Sequence, residues 1–329
     1  MDTRGLLDLT LARLPGLSFR DRISLCRSLE NEEDLARRSE RELEAIIGRR
    51  PAKGWGIDIA RMLGERDEQS ARLRGIGWVS WHSSEYPPLL REIYDPPVVL
   101  FFRGSLPDAR RPLVAVVGTR RPSPAASAQA FAVAKGLGQG GVSVVSGLAL
   151  GIDAMAHRGS VEGGAPGFAV LGSGVDEVYP SSNRALARSI LAGGGALISE
   201  YPPGAGPRKW NFPARNRIVS GISRGVLVVE APEKSGALIT AGFALEHNRD
   251  LWVASAGVAG SETGGGPVFD RRGTARLAED GAEVVYSASD ILGIWNMEPE
   301  AGSSADCKPA EEGRWAAASS MARSLGVTL

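Results

Sequence analysis

Leu113-Val-Ala-Val-Val-Gly118-Thr-Arg-Arg121 opens with five consecutive apolar residues and stops at a glycine. A run this short, with no polar residue alternating through it, is predicted to be a strand buried on both faces, as in a parallel sheet. Residues 125–137 read as the following helix. The unit then recurs, with apolar runs at 142–145, 168–171, 196–198, 226–229 and 251–253 and a helical stretch at 238–247. Strands alternating with helices predict an α/β fold with a doubly wound parallel sheet. Ligands of such sheets sit beyond the carboxyl ends of the strands. Small and polar residues collect there: Gly118-Thr119-Arg120-Arg121, Ser146-Gly147 and Gly172-Ser173-Gly174, with Ser235-Gly236 a further candidate. One such turn is more often just a turn. Several on one edge point to a phosphate-bearing ligand, because glycines let backbone N–H groups approach an anion at helix N-termini.

Upstream, Leu6, Leu7, Leu9, Leu11 and Leu14 lead into Leu14-Pro-Gly-Leu17, and Ile23, Leu25 and Leu29 form a second series. Breakers between short periodic segments predict a small all-helical domain over residues 1–75, of the SAM or helix-hairpin-helix kind. Ser39 and Glu42 have capping-box spacing, Gly48 is a stop, and helix is expected to about Gly64. Acids and bases balance here, so a packing or docking module is favoured over a DNA-binding one. Residues 76–112, with Tyr86-Pro-Pro and Asp95-Pro-Pro, read as a proline-rich connector ending in the strand Val98-Val-Leu-Phe-Phe102. The α/β domain is expected over 113–294. Residues 295–329, with Gly302-Ser-Ser and Pro309-Ala-Glu-Glu, read as a flexible tail with at most one helix, near 315–325.

The chain has 329 residues, 43% hydrophobic, enough for an α/β core with flanking parts. It contains neither an eighteen-residue apolar run nor a charged-then-apolar leader, and a cytoplasmic placement is expected. Cys26 and Cys307 lie far apart, and His82, His157 and His247 are the three histidines. No disulfide framework, metal site or cofactor is expected from this set. Net charge is zero, yet residues 109–152 carry Arg110, Arg111, Arg120, Arg121 and Lys135 with no acid. A second acid-free cluster is Trp210-Asn-Phe-Pro-Ala-Arg-Asn-Arg-Ile-Val-Ser-Gly221. It reads as a basic loop in which Arg215 and Arg217 flank Asn216 and can hold phosphates beside base-stacking aromatics. Taken alone, such clusters are more often solvated and ion-paired.

Enzymatic readings fit less well. A dinucleotide site needs G-x-G-x-x-G after the first strand and an acid about 20 residues on, but Gly118 is followed by Thr-Arg-Arg and the second strand ends in Ser146. Gly221-Ile-Ser223-Arg-Gly225 matches the nucleophile-elbow string but precedes its strand instead of following one. No P-loop string occurs. Asp153 and His157, four apart, are a pair more often structural than catalytic.

With these residues in hand, the chain resembles the DNA-processing protein A (DprA/Smf) family. The likeness rests on Val117-Gly-Thr-Arg-Arg-Pro122, Val145-Ser-Gly-Leu-Ala-Leu-Gly-Ile-Asp153 with Ala156-His157, Val170-Leu-Gly-Ser-Gly-Val-Asp176 with Tyr179-Pro180 and Asn183, Ser199-Glu-Tyr-Pro202, Phe212-Pro-Ala-Arg-Asn-Arg-Ile-Val-Ser-Gly221, and Val229-Glu-Ala231 with Ser235-Gly-Ala-Leu-Ile-Thr-Ala241. The resemblance implies an extended Rossmann-like, mainly parallel domain that binds single-stranded DNA without catalysis, as a homodimer. It also implies that the protein protects incoming DNA and loads the RecA recombinase on it during natural transformation. DNA contacts would come from Gly118, Thr119, Arg120, Arg121, Ser146, Gly147, Gly172, Ser173, Gly174, Arg215, Asn216 and Arg217, with Lys209 and Phe212 added as a phosphate partner and a stacking surface.

The chain departs from the family in having Ala125-Ala126 for the usual Tyr-Gly, Ser255-Ala256-Gly257 for Val-Pro-Gly, Arg271 and Ala275 for Ser and Asn, and Ala214 where some relatives are basic. The terminal winged helix of many members is not apparent. The rival readings are a nucleotide-processing enzyme of the LOG phosphoribohydrolase type and a free-nucleotide sensor. The former carries a Glu at a helix start, where this chain has Ser235-Gly-Ala-Leu-Ile-Thr and no Glu until Glu246.

Overall fold

The computed structural model describes residues 3–51, 54–258 and 269–297. Five helices come first: α1 (Thr3–Arg13), α2 (Phe19–Ser28), α3 (Glu32–Arg37), α4 (Glu40–Ile47) and α5 (Ile57–Leu73). Ser39 and Glu42 form a reciprocal capping box, and Gly48 ends α4 at φ 72°, where a residue with a Cβ would be strained. Leu7, Leu11, Leu14, Leu25, Leu29, Leu35 and Leu43 close one core. Helix α5 runs nine residues beyond Gly64, where the sequence suggested a stop. A Cβ at Gly64 would stand 3.1 Å from the Thr10 backbone nitrogen, so this glycine permits the close approach of α1 and α5.

The chain continues as β1 (Gly77–Ser80), α6 (Pro88–Arg91), β2 (Val99–Gly104), β3 (Leu113–Val117), α7 (Pro124–Gln139), β4 (Ser143–Ser146), α8 (Ile152–Glu162), β5 (Gly167–Val170), α9 (Arg184–Ala192) and β6 (Ala196–Ser199). It closes with α10 (Asn211–Gly221), β7 (Gly225–Val228), α11 (Gly236–Glu246), β8 (Asp250–Ala254), α12 (Arg272–Glu279), β9 (Glu283–Val285) and α13 (Ala288–Ile294). One nine-stranded sheet has the order β1-β2-β6-β5-β4-β3-β7-β8-β9. Strands β3 to β9 are parallel to one another, while β2 is antiparallel to both β1 and β6. Leu113, Ala115 and Val117 enter one core and Val114 and Val116 the opposite one, the period-2 division of a strand covered on both faces.

The doubly wound, mainly parallel α/β fold and the helical region before it are therefore as read from the sequence. Two local readings change. The connector also contributes β1, and its Tyr86 is fully buried, donating its hydroxyl proton to the Pro97 carbonyl at 2.7 Å. The stretch read as a basic loop is helix α10, whose first turn accommodates Pro213 because the N–H groups there have no helical acceptor. The helix expected near 315–325 and the rest of the tail lie outside the described residues.

Strand order reverses at β3, with β4 to β6 on one side and β7 to β9 on the other. That switch point opens a crevice at the strand ends. Beneath it His157 of α8 is wholly buried, and burial, followed by the charge of Arg215, pushes its pKa from 6.5 down to about 3. The unfolded chain thus binds a proton that the folded chain refuses. The resulting stability is complete above pH 6.5 and declines as pH falls toward 3, by about 1.4 kcal/mol per pH unit. Urea midpoints measured at about pH 7 and about pH 5 should differ by the equivalent of about 2 kcal/mol from this group. His157→Gln should flatten that slope, and an unchanged slope would contradict the assignment.

Candidate nucleic-acid interface

The crevice has a volume of about 660 Å³. The end of β3 supplies Gly118, Thr119, Arg120 and Arg121, the end of β4 supplies Gly147, and the approach to α10 and its first turns supply Lys209, Phe212, Arg215 and Asn216. Tyr179, Lys234, Ser235 and Thr240 complete the walls. Gly118 is required where it stands, since a Cβ there would meet the Ile152 side chain and the Glu230 carbonyl. A Cβ on Gly147 would strike the guanidinium of Arg215. Despite Ala125-Ala126, the start of α7 is capped, Ser123 Oγ accepting from the Ala126 N–H at 3.2 Å.

Arg215 forms the floor of the crevice. Its side chain donates through Nη1 to the Gly147 carbonyl at 2.9 Å and to the Val170 carbonyl, and the residue is 4% exposed. Burial draws its pKa down to about 10 against the pull of Asp153. Asp153 accepts from the N–H groups of Gly147 at 3.1 Å and Ala149 at 3.3 Å, and burial raises its own pKa. Arg215 is thus committed to holding the ends of β4 and β5.

Arg217 does not face the crevice. It makes a two-pronged ion pair with Glu200, both contacts 2.7 Å, and approaches Asp95 at 3.4 Å. Burial lowers its pKa, but Glu200 more than compensates and leaves it above the ordinary arginine value. The expectation of two neighbouring phosphate ligands is corrected by helix geometry: at roughly 100° per residue, positions two apart leave the helix on nearly opposite sides. Asn216, between them, donates to the Gly236 carbonyl at 3.0 Å and so ties α10 to the start of α11. Arg217→Ala is expected to cost about 1.5–3 kcal/mol of stability by stranding Glu200 and to change oligonucleotide affinity less than about twofold, because it contacts no cleft group. Denaturation and anisotropy titrations on one preparation check both.

Four other predicted residues lie behind the wall. Ser146 Oγ donates to the Val116 carbonyl at 2.7 Å, and Ser173 Oγ to the Glu177 carbonyl at 2.6 Å. Gly174 donates its N–H to the Ala205 carbonyl at 2.8 Å, and Gly172 accepts from Asn211 Nδ2 at 2.8 Å. These groups are satisfied internally, and none of the four residues is among those that line the crevice.

What the crevice offers a ligand is Arg120, Arg121, Lys209 and Lys234, all exposed. None of the four makes an ion pair with a described residue. The Arg120 guanidinium lies over the Phe212 ring at 5.9 Å, and Phe212 meets Tyr179 at 5.5 Å between centroids. Cations beside an aromatic platform can hold phosphates and stack bases. Lys234 escaped the sequence reading, although it precedes the Ser235-Gly236 turn noted there, and Thr240 was visible only as part of the Ser235–Ala241 motif. Tyr179 was visible only as part of the Tyr179-Pro180 motif.

Sheet order and switch-point crevice together define a Rossmann-like protein of the open, doubly wound class. Within that class, the chain belongs to the family of DNA recombination-mediator protein A, whose family model matches residues 77–296. Protein Smf of Synechocystis is 44% identical over 255 residues, spanning 76% of this chain and 59% of that protein. DNA processing protein DprA of Bacillus subtilis is 40% identical over 224 residues, 67% of this chain and 72% of its own length. Among solved structures, DNA processing protein A from Streptococcus pneumoniae superposes with a TM-score of 0.70 at 32% identity, covering 89% of this chain and 98% of that one. A Helicobacter pylori DNA processing protein A, described for its single-stranded DNA binding mode, gives a TM-score of 0.56 at 27% identity, over 67% and 95% of the two chains. The resemblance read from six sequence strings is the family the comparisons find.

Proposed function

We propose that this protein binds single-stranded DNA in the switch-point crevice and acts as a recombination mediator. The observation that carries this is the set of exposed cations Arg120, Arg121, Lys209 and Lys234 lining the crevice, none ion-paired with a described residue, with Arg120 over the Phe212 ring. Backbone phosphates lie on these cations and bases stack on Phe212, which makes binding tolerant of sequence. The single-stranded DNA binding mode of the Helicobacter relative supports the same reading. The protein is a binder and not a catalyst, works as a homodimer in the cytoplasm, and passes incoming strands to RecA in natural transformation. A phosphoribohydrolase role is disfavoured, since Glu246 ends α11 and does not begin it.

Fluorescence anisotropy with a labelled oligothymidine tests the proposal. Binding should be tight at low salt and exceed that of a duplex of equal length. Its logarithm should fall with the logarithm of salt by roughly 0.7 for each phosphate engaged. No binding at low salt, or equal affinity for duplex, would refute the reading. Light scattering of the free chain tests the homodimer separately.

A further inference from the structure

Asp8 on α1, Cys26 on α2 and His82 in the turn after β1 come from three separate segments. Their ligand atoms nevertheless lie within 4.8 Å of one another. Cys26 Sγ donates to Asp8 Oδ1 at 3.2 Å, and His82 Nδ1 is 3.6 Å from the same oxygen. A tetrahedral ion with bonds of about 2.0–2.3 Å separates its ligands by roughly 3.3–3.7 Å. Two of the three spacings are therefore close to coordination edges before any ion is added, and the third is no longer than 4.8 Å.

Burial and chemistry agree with this geometry. Asp8 and Cys26 are 1% and 0% exposed, whereas His82 opens to solvent. The imidazole is braced by Trp81, whose ring stands edge-on at 5.2 Å. An ion can therefore reach the buried pair from the His82 side and keep a water on its open face. Arg4 donates to the Leu29 and Cys26 carbonyls, and Arg22 to those of Leu11, Leu14 and Leu17. These bonds fix the backbone that carries Cys26 and position its sulfur. One thiolate, one imidazole and one carboxylate suit a borderline-soft divalent ion such as zinc and are poor for magnesium or calcium, which favour all-oxygen sets.

We propose that Asp8, Cys26 and His82 form a zinc-class metal site with water as fourth ligand. The metal–sulfur bond forms as the Cys26 thiol proton passes to solvent, with no change of oxidation state. The bound ion clasps α1 and α2 to the turn leaving β1, and so fastens the helical region to the edge of the sheet. Single-sequence cysteine spacing could not show this, because the ligands are scattered along the chain and only one is a thiol.

The test uses the full chain, stripped with a chelator and titrated with zinc or cobalt(II) ions alone. One equivalent of zinc should bind by native mass spectrometry. Cobalt should give tetrahedral visible bands and a near-ultraviolet thiolate charge-transfer band. Cys26→Ser should abolish the charge-transfer band, whereas Cys307→Ser should keep it. His82→Ala, at an exposed position that leaves the core intact, should weaken zinc binding at least about tenfold, the smallest loss expected even for an outer-shell partner. Failure to bind one equivalent, a cobalt spectrum without thiolate character, or zinc affinity indifferent to His82→Ala would overturn the proposal.

Discussion

Arg215→Ala is expected to destabilise the fold by about 3–5 kcal/mol, the loss seen when one partner of a buried ionic network is removed. The guanidinium bonds the Gly147 and Val170 carbonyls and lies in the field of Asp153, which itself holds two backbone N–H groups. Removing it strands two buried carbonyls and a buried carboxylate and opens a void under the crevice. Against a total stability of about 5–15 kcal/mol, that is a large fraction. Arg215→Lys should recover little, because an ammonium is a point charge without the planar fork that reaches two carbonyls. Urea denaturation followed by far-UV circular dichroism measures the loss. A drop under about 1 kcal/mol, with DNA affinity abolished, would instead make Arg215 a direct phosphate ligand.

The complementary substitution is Arg120→Ala combined with Lys209→Ala, which should leave the denaturation curve in place and weaken oligothymidine binding on the order of a hundredfold. Both side chains are exposed on the crevice wall and make no ion pair with a described residue, so the fold does not depend on them. A charge-assisted phosphate contact at a solvated site contributes about tenfold in affinity, so two independent contacts would together supply about a hundredfold. The salt dependence should shallow by roughly 1.4, twice the single-strand value per phosphate. Arg120 also covers the Phe212 ring, so its loss removes part of a stacking surface. A salt slope identical to that of the unmodified protein would show that neither residue meets a phosphate.

The sheet was legible because its strands are buried on both faces and read as uninterrupted apolar runs. The position of the crevice followed from the same runs, since their carboxyl ends are marked by glycines. The roles of Arg215 and Arg217 were not legible. The acid-free cluster at 210–221 left out Glu200, ten residues before it, and Asp95 far upstream, and both meet Arg217 in the folded chain. Reading 210–221 as a loop compounded the error, because only in a helix do alternate arginines part company. The turns carry a second demand that the sequence does not separate from ligand binding: a glycine at a strand end can be needed for packing, as Gly172 is against Phe212. Strand β1 was missed because four residues between two charged segments leave little period to detect.

The antiparallel pairing of β2 with β6 joins Phe101 to Ser199, and this bears on the order of events at the ribosome. At about 5–20 residues per second, β2 is complete roughly 5–20 s before its partner exists. Through that interval its apolar edge has β1 alone beside it, while the helices already made can bury their own leucines. Nascent chains of this protein are therefore expected to pass through a folded helical cap trailing a β1–β2 pair with one open edge, the species most in need of a chaperone.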